Sequence, residues 1–512
     1  MPLAHFRLAL EPQPDPAAVV QAPSVRFTVL TSRLIRMEYS AEETFEDHPS
    51  QAFWFRRQPA PPFDVRRSDE AIEIETEHLQ LRYFPTEQGF SPYTLSIRLK
   101  SAGTTWSYGD NVWRSQNLKG TTRTLDETNG YAPLEPGLVA RSGWSVVDDS
   151  RSLIFDDDGW LQPRAAPTNL DLYFFGYGSD YIACLQDFQR VSGKTPLVPR
   201  WALGNWWSRF WAYTQEELQA LMQDFEAHDM PLSVCIVDMD WHIVQTGNRS
   251  SGWTGYTWNT ALFPDPKGMI AWLHDKGLKM ALNLHPADGI HPHEAQYRQL
   301  AEILGVDPDS NDPIPFDISN PLFTEAYFAV LHHPHEADGV DFWWMDWQQG
   351  TQTKVQGLDP LAWLNHLHFY DLQRDGRKRP FIFSRWGGLG NHRYPIGFSG
   401  DTVVSWESLA FQPYFTATAA NVAYSWWSHD IGGHFWGIEE AELYLRWVQY
   451  GVWSPILRLH SSNSPHSERR PWAWGRVVEE HARAAFQLRH ALIPYIYAMA
   501  WRNSETGIPL IT

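Results

Sequence analysis

The chain has 512 residues and a net charge of −19, from 41 Lys and Arg against 60 Asp and Glu. A phosphate backbone or an anionic membrane needs clustered positive charge, so neither is an expected partner. At 43% hydrophobic and 20% charged, the composition is that of a soluble globular protein, and its two cysteines, Cys184 and Cys235, exclude a disulfide framework or a Cys-based metal site.

The amino-terminal stretch MPLAHFRLALEPQPDPAAVV lacks the basic and apolar regions of a signal peptide, and no run of 18 apolar residues follows anywhere. The expected compartment is the cytoplasm. Residues 1–195 then read as β-rich. SVRFTVLTSRLIRMEYS, AIEIETEHLQLRYF and YTLSIRLK alternate apolar and polar positions between Pro, Gly and Asp turns. That pattern predicts an antiparallel β-sandwich, with PAPPFD at 59–64 as a loop or edge. Helical spacing over Asp180–Val191 leads to a domain boundary at Pro196–Pro199.

Residues 196–508 change texture. Eight short apolar runs recur: Ala202–Trp206, Leu232–Val237, Lys279–Leu284, Asp341–Met345, Pro380–Phe383, Ile396–Phe398, Ala423–Trp427 and Pro455–Leu459. Amphipathic helical patterns such as Gln215–Phe225, Pro266–Lys276 and Glu439–Tyr450 lie between them. Near-continuous apolar strands alternating with helices predict a TIM (β/α)8 barrel of the α/β class. Only SRWGGLGNHRYP separates the fifth and sixth runs, which is too short for a full crossover helix. A long helix over Val478–Arg502 follows, and residues 509–512 read as the start of a C-terminal β-domain that this chain does not contain.

A TIM barrel builds its active site at the C-terminal ends of its strands. Taken in order, these ends carry Asp238 and Asp240, His285, Asp346, Arg385, Asp401, Asp430, and Arg458 with His460. Carboxylates and Arg hydrogen-bond hydroxyls, and indoles pack on the C–H faces of sugar rings. Tryptophan is abundant here: only five of 27 lie in the first 200 residues. The excess points to a sugar site walled by indoles. Candidates are Trp206, Trp207, Trp241, Trp343, Trp344, Trp347, Trp386, Trp406, Trp426 and Trp427; of the Trp343–Trp344 pair, Trp344 is expected to face the sugar. Two carboxylates flanking a glycosidic bond make a glycosidase. Asp346 and Asp401 stand out because each ends an apolar run in a Trp-rich context, but spacing alone does not choose the pair. The histidine clusters HPHE (291–294) and HHPHE (332–336) are not the HExxH signature, so no metal is expected. Gly387-Gly388-Leu389-Gly390 lacks the Lys and helix start of a phosphate loop and is expected to shape a loop near Arg385.

These residues sit in longer motifs. SVRFTVLTSRLIRMEYS, GLVARSGWSVVDDS, PLVPRWALGNWWSRFWAYTQEEL, FPDPKGMIAWLHDKGLKMALNLHP, GFSGDTVVSWESL, WSHDIGGHFWG and YGVWSPILRLHS together make the chain resemble glycoside hydrolase family 31 from about residue 25 onward. The resemblance implies Asp346 as nucleophile and Asp401 as acid/base. It implies Asp238, Trp344, Arg385 and His460 as sugar-holding residues, with Trp427 beside them. Asp430 falls in an Asp-Ile-Gly-Gly motif and is either substrate-binding or supporting. The implied mechanism is retaining, through a β-glycosyl-enzyme, with the two carboxyls roughly 5–5.5 Å apart. It requires no cofactor and a small carbohydrate as partner; a homo-oligomer is compatible with it. The family's common forms follow the nucleophile with Met-Asn-Glu or Phe-Gly-Glu. Here Trp347-Gln348-Gln349 follows, and the carboxylate is missing at Gln349. The expected activity is an exo-acting α-glucosidase. The alternatives are an α-N-acetylgalactosaminidase, another α-glycosidase (α-xylosidase or α-galactosidase), a transglycosylase, or a barrel that binds sugar without turnover.

Overall fold

The structure is a computed structural model that describes residues 3–87, 89–111, 115–346 and 349–511. Its first part is a sandwich of two five-stranded antiparallel sheets. One sheet runs in the order Val19–Ala22, Val25–Thr31, Leu34–Tyr39, Leu170–Gly176, Trp144–Asp148. The other is a meander of Phe63–Arg67, Ile72–Thr76, Leu79–Tyr83, Leu95–Leu99 and Thr105–Ser107. Alternate residues of the meander (Ile72, Ile74, Leu79, Leu81, Leu95, Ile97) meet Phe27, Val29, Ile35, Met37 and Phe174 of the first sheet. The first sheet is covered on both faces. Its opposite side chains, Leu30, Leu34, Tyr173 and Phe175, pack on Cys184, Leu185, Phe188 and Val191 of the helix Tyr181–Ser192. Burial on both faces explains why Val25–Thr31 is nearly continuously apolar or buried.

The second part is the barrel. Seven parallel strands pair in the order Phe342–Met345, Lys279–Leu284, Val234–Val237, Asn205–Trp207, Ile456–Leu459, Trp427–Ile431, Gly397–Phe398. The eighth position is held by the run ending at Ser384, through single parallel bridges from Phe383 to Trp344 and from Ser384 to Gly397. Its main chain still closes the ring: Phe383 N–H donates to Trp343 O at 3.1 Å, and Phe398 N–H to Ser384 O at 2.8 Å. The short crossover after it contains a 3-10 turn, Asn391–Arg393, in place of a helix. Two strand starts shift by three residues or more. The first strand begins at Asn205, because Arg200–Leu203 is a 3-10 turn. The seventh is Trp427–Ile431, four residues later than expected, because Ala423 leaves a helical turn in the left-handed conformation at φ 61°. Residues 508–511 form no strand; Ile508 O and Pro509 O accept hydrogen bonds from Asn503 and Arg502 of the last helix, Arg476–Thr506.

Strand periodicity of two decides which side chains enter the barrel. Phe342 and Trp344 point inward with Trp206, Val234, Ile236, Ala281, Phe383, Phe398 and Ile456. Trp207, Cys235, Val237, Leu282, Trp343, Met345 and Leu457 point outward to the helices. Extending the inward series from Ile236, Trp344 and Phe383 by one step reaches Asp238, Asp346 and Arg385, and those from Ala281 and Ile456 reach His285 and His460 in two, which is how the folding pattern gathers the site.

The last helix latches the ring shut. Arg489 is fully buried. Its Nε donates to Leu203 O at 2.7 Å, Nη1 to Val452 O and Ser454 O at 2.9 and 2.6 Å, and Nη2 to Pro455 O at 2.6 Å. The carbonyls belong to the segments leading into the first and last strands. Burial pushes its pKa down to about 9, so it is still a cation at neutral pH. Arg489→Met removes these donors and strands several buried acceptors, each costing on the order of 1–3 kcal/mol. We expect a loss of about 3–5 kcal/mol in urea unfolding. An unchanged midpoint would show that the barrel closes without this latch.

Candidate active site

Asp346 directly follows the fourth strand, fixed by its N–H donating to Leu284 O at 3.0 Å. Arg385 Nη2 donates to its Oδ1 at 3.0 Å, and His285 Nε2 stands 3.4 Å from Oδ2. Burial alone would raise its pKa; the Arg385 guanidinium and then His285 outweigh that and hold the carboxyl far below the usual carboxylate range.

Arg385 is held from its other side by the sandwich domain. Nη1 donates to Thr124 Oγ1 at 2.6 Å and Asp126 Oδ1 at 3.1 Å, and the guanidinium lies over Phe398 at 4.3 Å. Asp126 Oδ1 also accepts from the N–H of Asp401 at 2.8 Å. One carboxylate oxygen from the amino-terminal domain thus ties together the partner of Asp346 and the backbone of Asp401. The strand-like approach of this loop is fixed by Leu125 N–H to Ser399 O (2.7 Å) and Glu127 N–H to Asp401 O (2.9 Å). It explains Gly400, whose φ is +98°: a Cβ there would stand 2.1 Å from Asp126 Oδ1 and 2.6 Å from Arg385 Nη1.

Asp401 has about a third of its side chain open to solvent, 35%. Its dense surroundings raise its pKa, and the negative charges of Asp430, Asp126 and Asp346 add to this, against a lowering by His434; the result is about 7. Asp238 lies deeper, 6% exposed, and burial with the charges of Asp346 and Asp401 pushes it up to about 8. Its carboxylate accepts from Met239 N–H at 2.7 Å and stands 4.0 Å from His460 Nε2. His460 shares a hydrogen bond with Ser208 Oγ at 2.7 Å, and burial holds it neutral, well below the ordinary histidine pKa. Trp344 sits edge-on to His460 at 5.3 Å and against Phe383 and Phe398. Trp253, partly exposed, meets His285 edge-on at 5.2 Å and forms an aromatic wall.

Two expected substrate contacts are corrected. Trp427 opens the seventh strand rather than ending it, and it faces outward with Ile431. Its indole packs on Phe415 and Tyr424. Asp430 faces inward but is enclosed. Arg458 Nη2 binds Oδ1, and His434 Nδ1 lies 2.9 Å from Oδ2, which leaves the carboxylate a supporting role. The Arg458 guanidinium and the hydrogen bond with His434 keep it far below the carboxylate range despite its burial. Asp430, His434 and His460 each bring a ligand-type atom within 4.8 Å of the others. Both Asp430 oxygens are already taken, one by a guanidinium, so the three form a supporting network rather than a cation site. The tryptophan excess is also mainly packing: Trp206, Trp207, Trp241, Trp386 and Trp426 are all buried. Trp347 and Gln348 lie outside the described residues; Gln349 is buried, and its Nε2 has no hydrogen-bond partner among the described residues.

Sequence reasoning missed Thr124, Asp126 and Ser208 as site residues, and did not use His285 or His434. Asp126 carried no signal, lying in a loop of the other domain. His434 carried one, four residues after Asp430. The glycine loop does abut Arg385. Asn365 Nδ2 donates to Arg385 O and to Asn391 Oδ1 at 3.0 and 2.8 Å, and Gly387–Asn391 line a cleft of about 260 Å³ against Gln51 and Asp149 that holds none of the residues above.

The family model for the glycosyl hydrolases family 31 TIM-barrel domain matches residues 195–499, more than half of the chain. The chain belongs to glycoside hydrolase family 31. Among curated family 31 relatives, an α-xylosidase of Saccharolobus solfataricus is 24% identical over 432 residues, and α-glucosidase 2 of Bacillus thermoamyloliquefaciens is 24% identical over 441. Each alignment covers 77% of this chain and 55% of the relative, so the chain spans about half the length of these proteins. The family 31 fold is shared with a Flavobacterium johnsoniae dextranase, at TM-score 0.74 and 19% identity over 98% of this chain and 71% of that one. It is shared too with a soil-metagenome α-xylosidase, at TM-score 0.72 and 16% identity, over 96% and 85%. Among the described residues no helix is long and apolar enough to cross a membrane.

Proposed function

We propose that the protein is a retaining, exo-acting α-glycoside hydrolase, with α-linked glucosides as substrates. The observation that carries this reading is the opposition of two carboxyls in one network. Asp346 is held anionic by Arg385, whereas Asp401 keeps a proton up to about pH 7. Paired carboxyls pushed apart in this way divide into nucleophile and acid. Asp238 is raised as well, but it is buried at the floor, where it suits a sugar hydroxyl as donor and acceptor; Asp401 is the one open to a leaving group.

Asp346 attacks the anomeric carbon as the bond to the glycosidic oxygen breaks, and Asp401 gives that oxygen its proton. The β-glycosyl ester on Asp346 is then opened by water, which passes a proton to Asp401 as its oxygen bonds to the anomeric carbon. Asp238 and His460 hold hydroxyls of the terminal ring, with Trp344 beneath, which favours an end-on sugar. A second reading, α-N-acetylgalactosaminidase, is favoured by Gln349, a buried neutral amide at the position where the family's common forms carry a carboxylate.

A panel of p-nitrophenyl α-glycosides of glucose, xylose, galactose and N-acetylgalactosamine tests this. We expect the glucoside to be turned over fastest. kcat/KM should fall as pH rises through about 7, because glycosylation needs Asp401 protonated. Preference for the N-acetylgalactosaminide selects the second reading. Sugar binding by calorimetry with no turnover of all four would leave a binding barrel.

A further inference from the structure

His434 occupies an unusual position between two carboxylates. Its Nδ1 is 2.9 Å from Asp430 Oδ2 and 3.4 Å from Asp401 Oδ1. The ring is buried: the backbone N–H of His434 donates to Thr402 O at 2.8 Å, and its side chain packs on Phe435 and, at 5.1 Å, on His460. Behind it Asp430 is fixed by Arg458, whose Nε also donates to Ser428 Oγ at 3.1 Å. An anionic Asp430 can only accept, so the proton of the neutral imidazole must lie on Nδ1. That is the same nitrogen that faces Asp401.

We propose that His434 is the positioning residue of the acid/base: its Nδ1–H is shared between Asp430, which orients it, and Asp401, whose anionic form it stabilises. The proposal rests on the reading of Asp401 as acid/base. When Asp401 gives its proton to the leaving oxygen, the negative charge appears 3.4 Å from this nitrogen, and the N–H turns toward it as the bond to Asp430 lengthens. When water attacks the glycosyl-enzyme, Asp401 takes the water proton and the N–H returns to Asp430. No proton leaves the imidazole in either step. The charged and titratable groups facing His434 are Asp401, Asp430 and Asp238, with His460 beside it and Arg458 behind Asp430. The carboxylates raise the imidazole pKa against the effect of burial, so a charged ring at lower pH strengthens the same contact.

The test compares the wild type with His434→Phe, which keeps a ring but no donor, and His434→Gln, which keeps a side-chain N–H. Without the donor, the Asp401 anion is less stable and its pKa rises. In His434→Phe the alkaline limb of kcat/KM should move up by about one pH unit. Its kcat should fall about 10- to 100-fold, with a burst of p-nitrophenol as the second step becomes limiting. His434→Gln should restore part of both. A folded His434→Phe protein with the wild-type limb overturns the proposal; a drop in kcat with no shift of the limb overturns it equally, as a merely structural effect. A readout independent of turnover is 15N NMR of histidine-labelled wild type above the imidazole pKa. We expect His434 protonated at Nδ1, and an Nε2–H tautomer overturns the proposal whatever the substrate. Failure of the acid/base reading shows elsewhere, as full activity of Asp401→Ala.

Discussion

Asp346→Asn is expected to abolish turnover of p-nitrophenyl α-glycosides, with kcat lowered by about 10⁴-fold or more. An amide oxygen does not form the glycosyl ester, and a good leaving group cannot compensate because the missing part is the nucleophile. The fold should survive. Arg385 loses one partner but keeps Thr124 and Asp126, and Asp346 N–H still donates to Leu284 O. The check is steady-state kinetics of repurified protein beside a thermal melt. Retention of more than about 1% of wild-type kcat would remove Asp346 from the nucleophile role.

Asp401→Ala acts differently on different substrates. For poor leaving groups the loss should be about 10²- to 10⁴-fold, the usual contribution of a positioned acid. Activated aryl glycosides, which leave without a proton, should be less affected in the first step but slow in the second. The space vacated beside Asp126 and His434 admits azide, which needs no base. We expect azide to restore turnover and to give the β-glycosyl azide. The alkaline limb near pH 7 should disappear with the carboxyl, since burial and the surrounding Asp430, Asp126 and Asp346 set that limb through Asp401. An α-azide product, or a limb that stays in place, contradicts the assignment.

Much of the barrel was legible because apolar runs and period-two alternation are local properties. The series 342, 344 and 346 shows the point: once Phe342 is inward, Trp344 and Asp346 follow, and Trp343 is excluded. The same alternation defeats the expectation for Trp427. A run of apolar residues marks a strand without fixing where it starts, and a shift of four residues placed Trp427 at the wrong end, on the outer face. The degenerate eighth unit was visible in a crossover too short for a helix, and it remains as two bridges closing the ring. The tryptophan count was ambiguous because an indole serves a core as well as a sugar, and here most of the candidates serve the core. The least legible parts were those that depend on contacts distant along the chain. Asp126 reaches Arg385 across 259 positions and a domain boundary, so no local pattern announces it. Asp430 could be placed on an inward strand end from sequence, but only the Arg458 and His434 contacts show that its oxygens are spent.

The central claim is retention through Asp346 and Asp401. Its most direct measurement is the anomeric form of the first sugar released from the best p-nitrophenyl α-glycoside, followed by proton NMR before mutarotation. We expect the α-anomer to appear first and the β-anomer only later, at the rate of spontaneous equilibration. A β-anomer released first would mean a single displacement by water, and would contradict it.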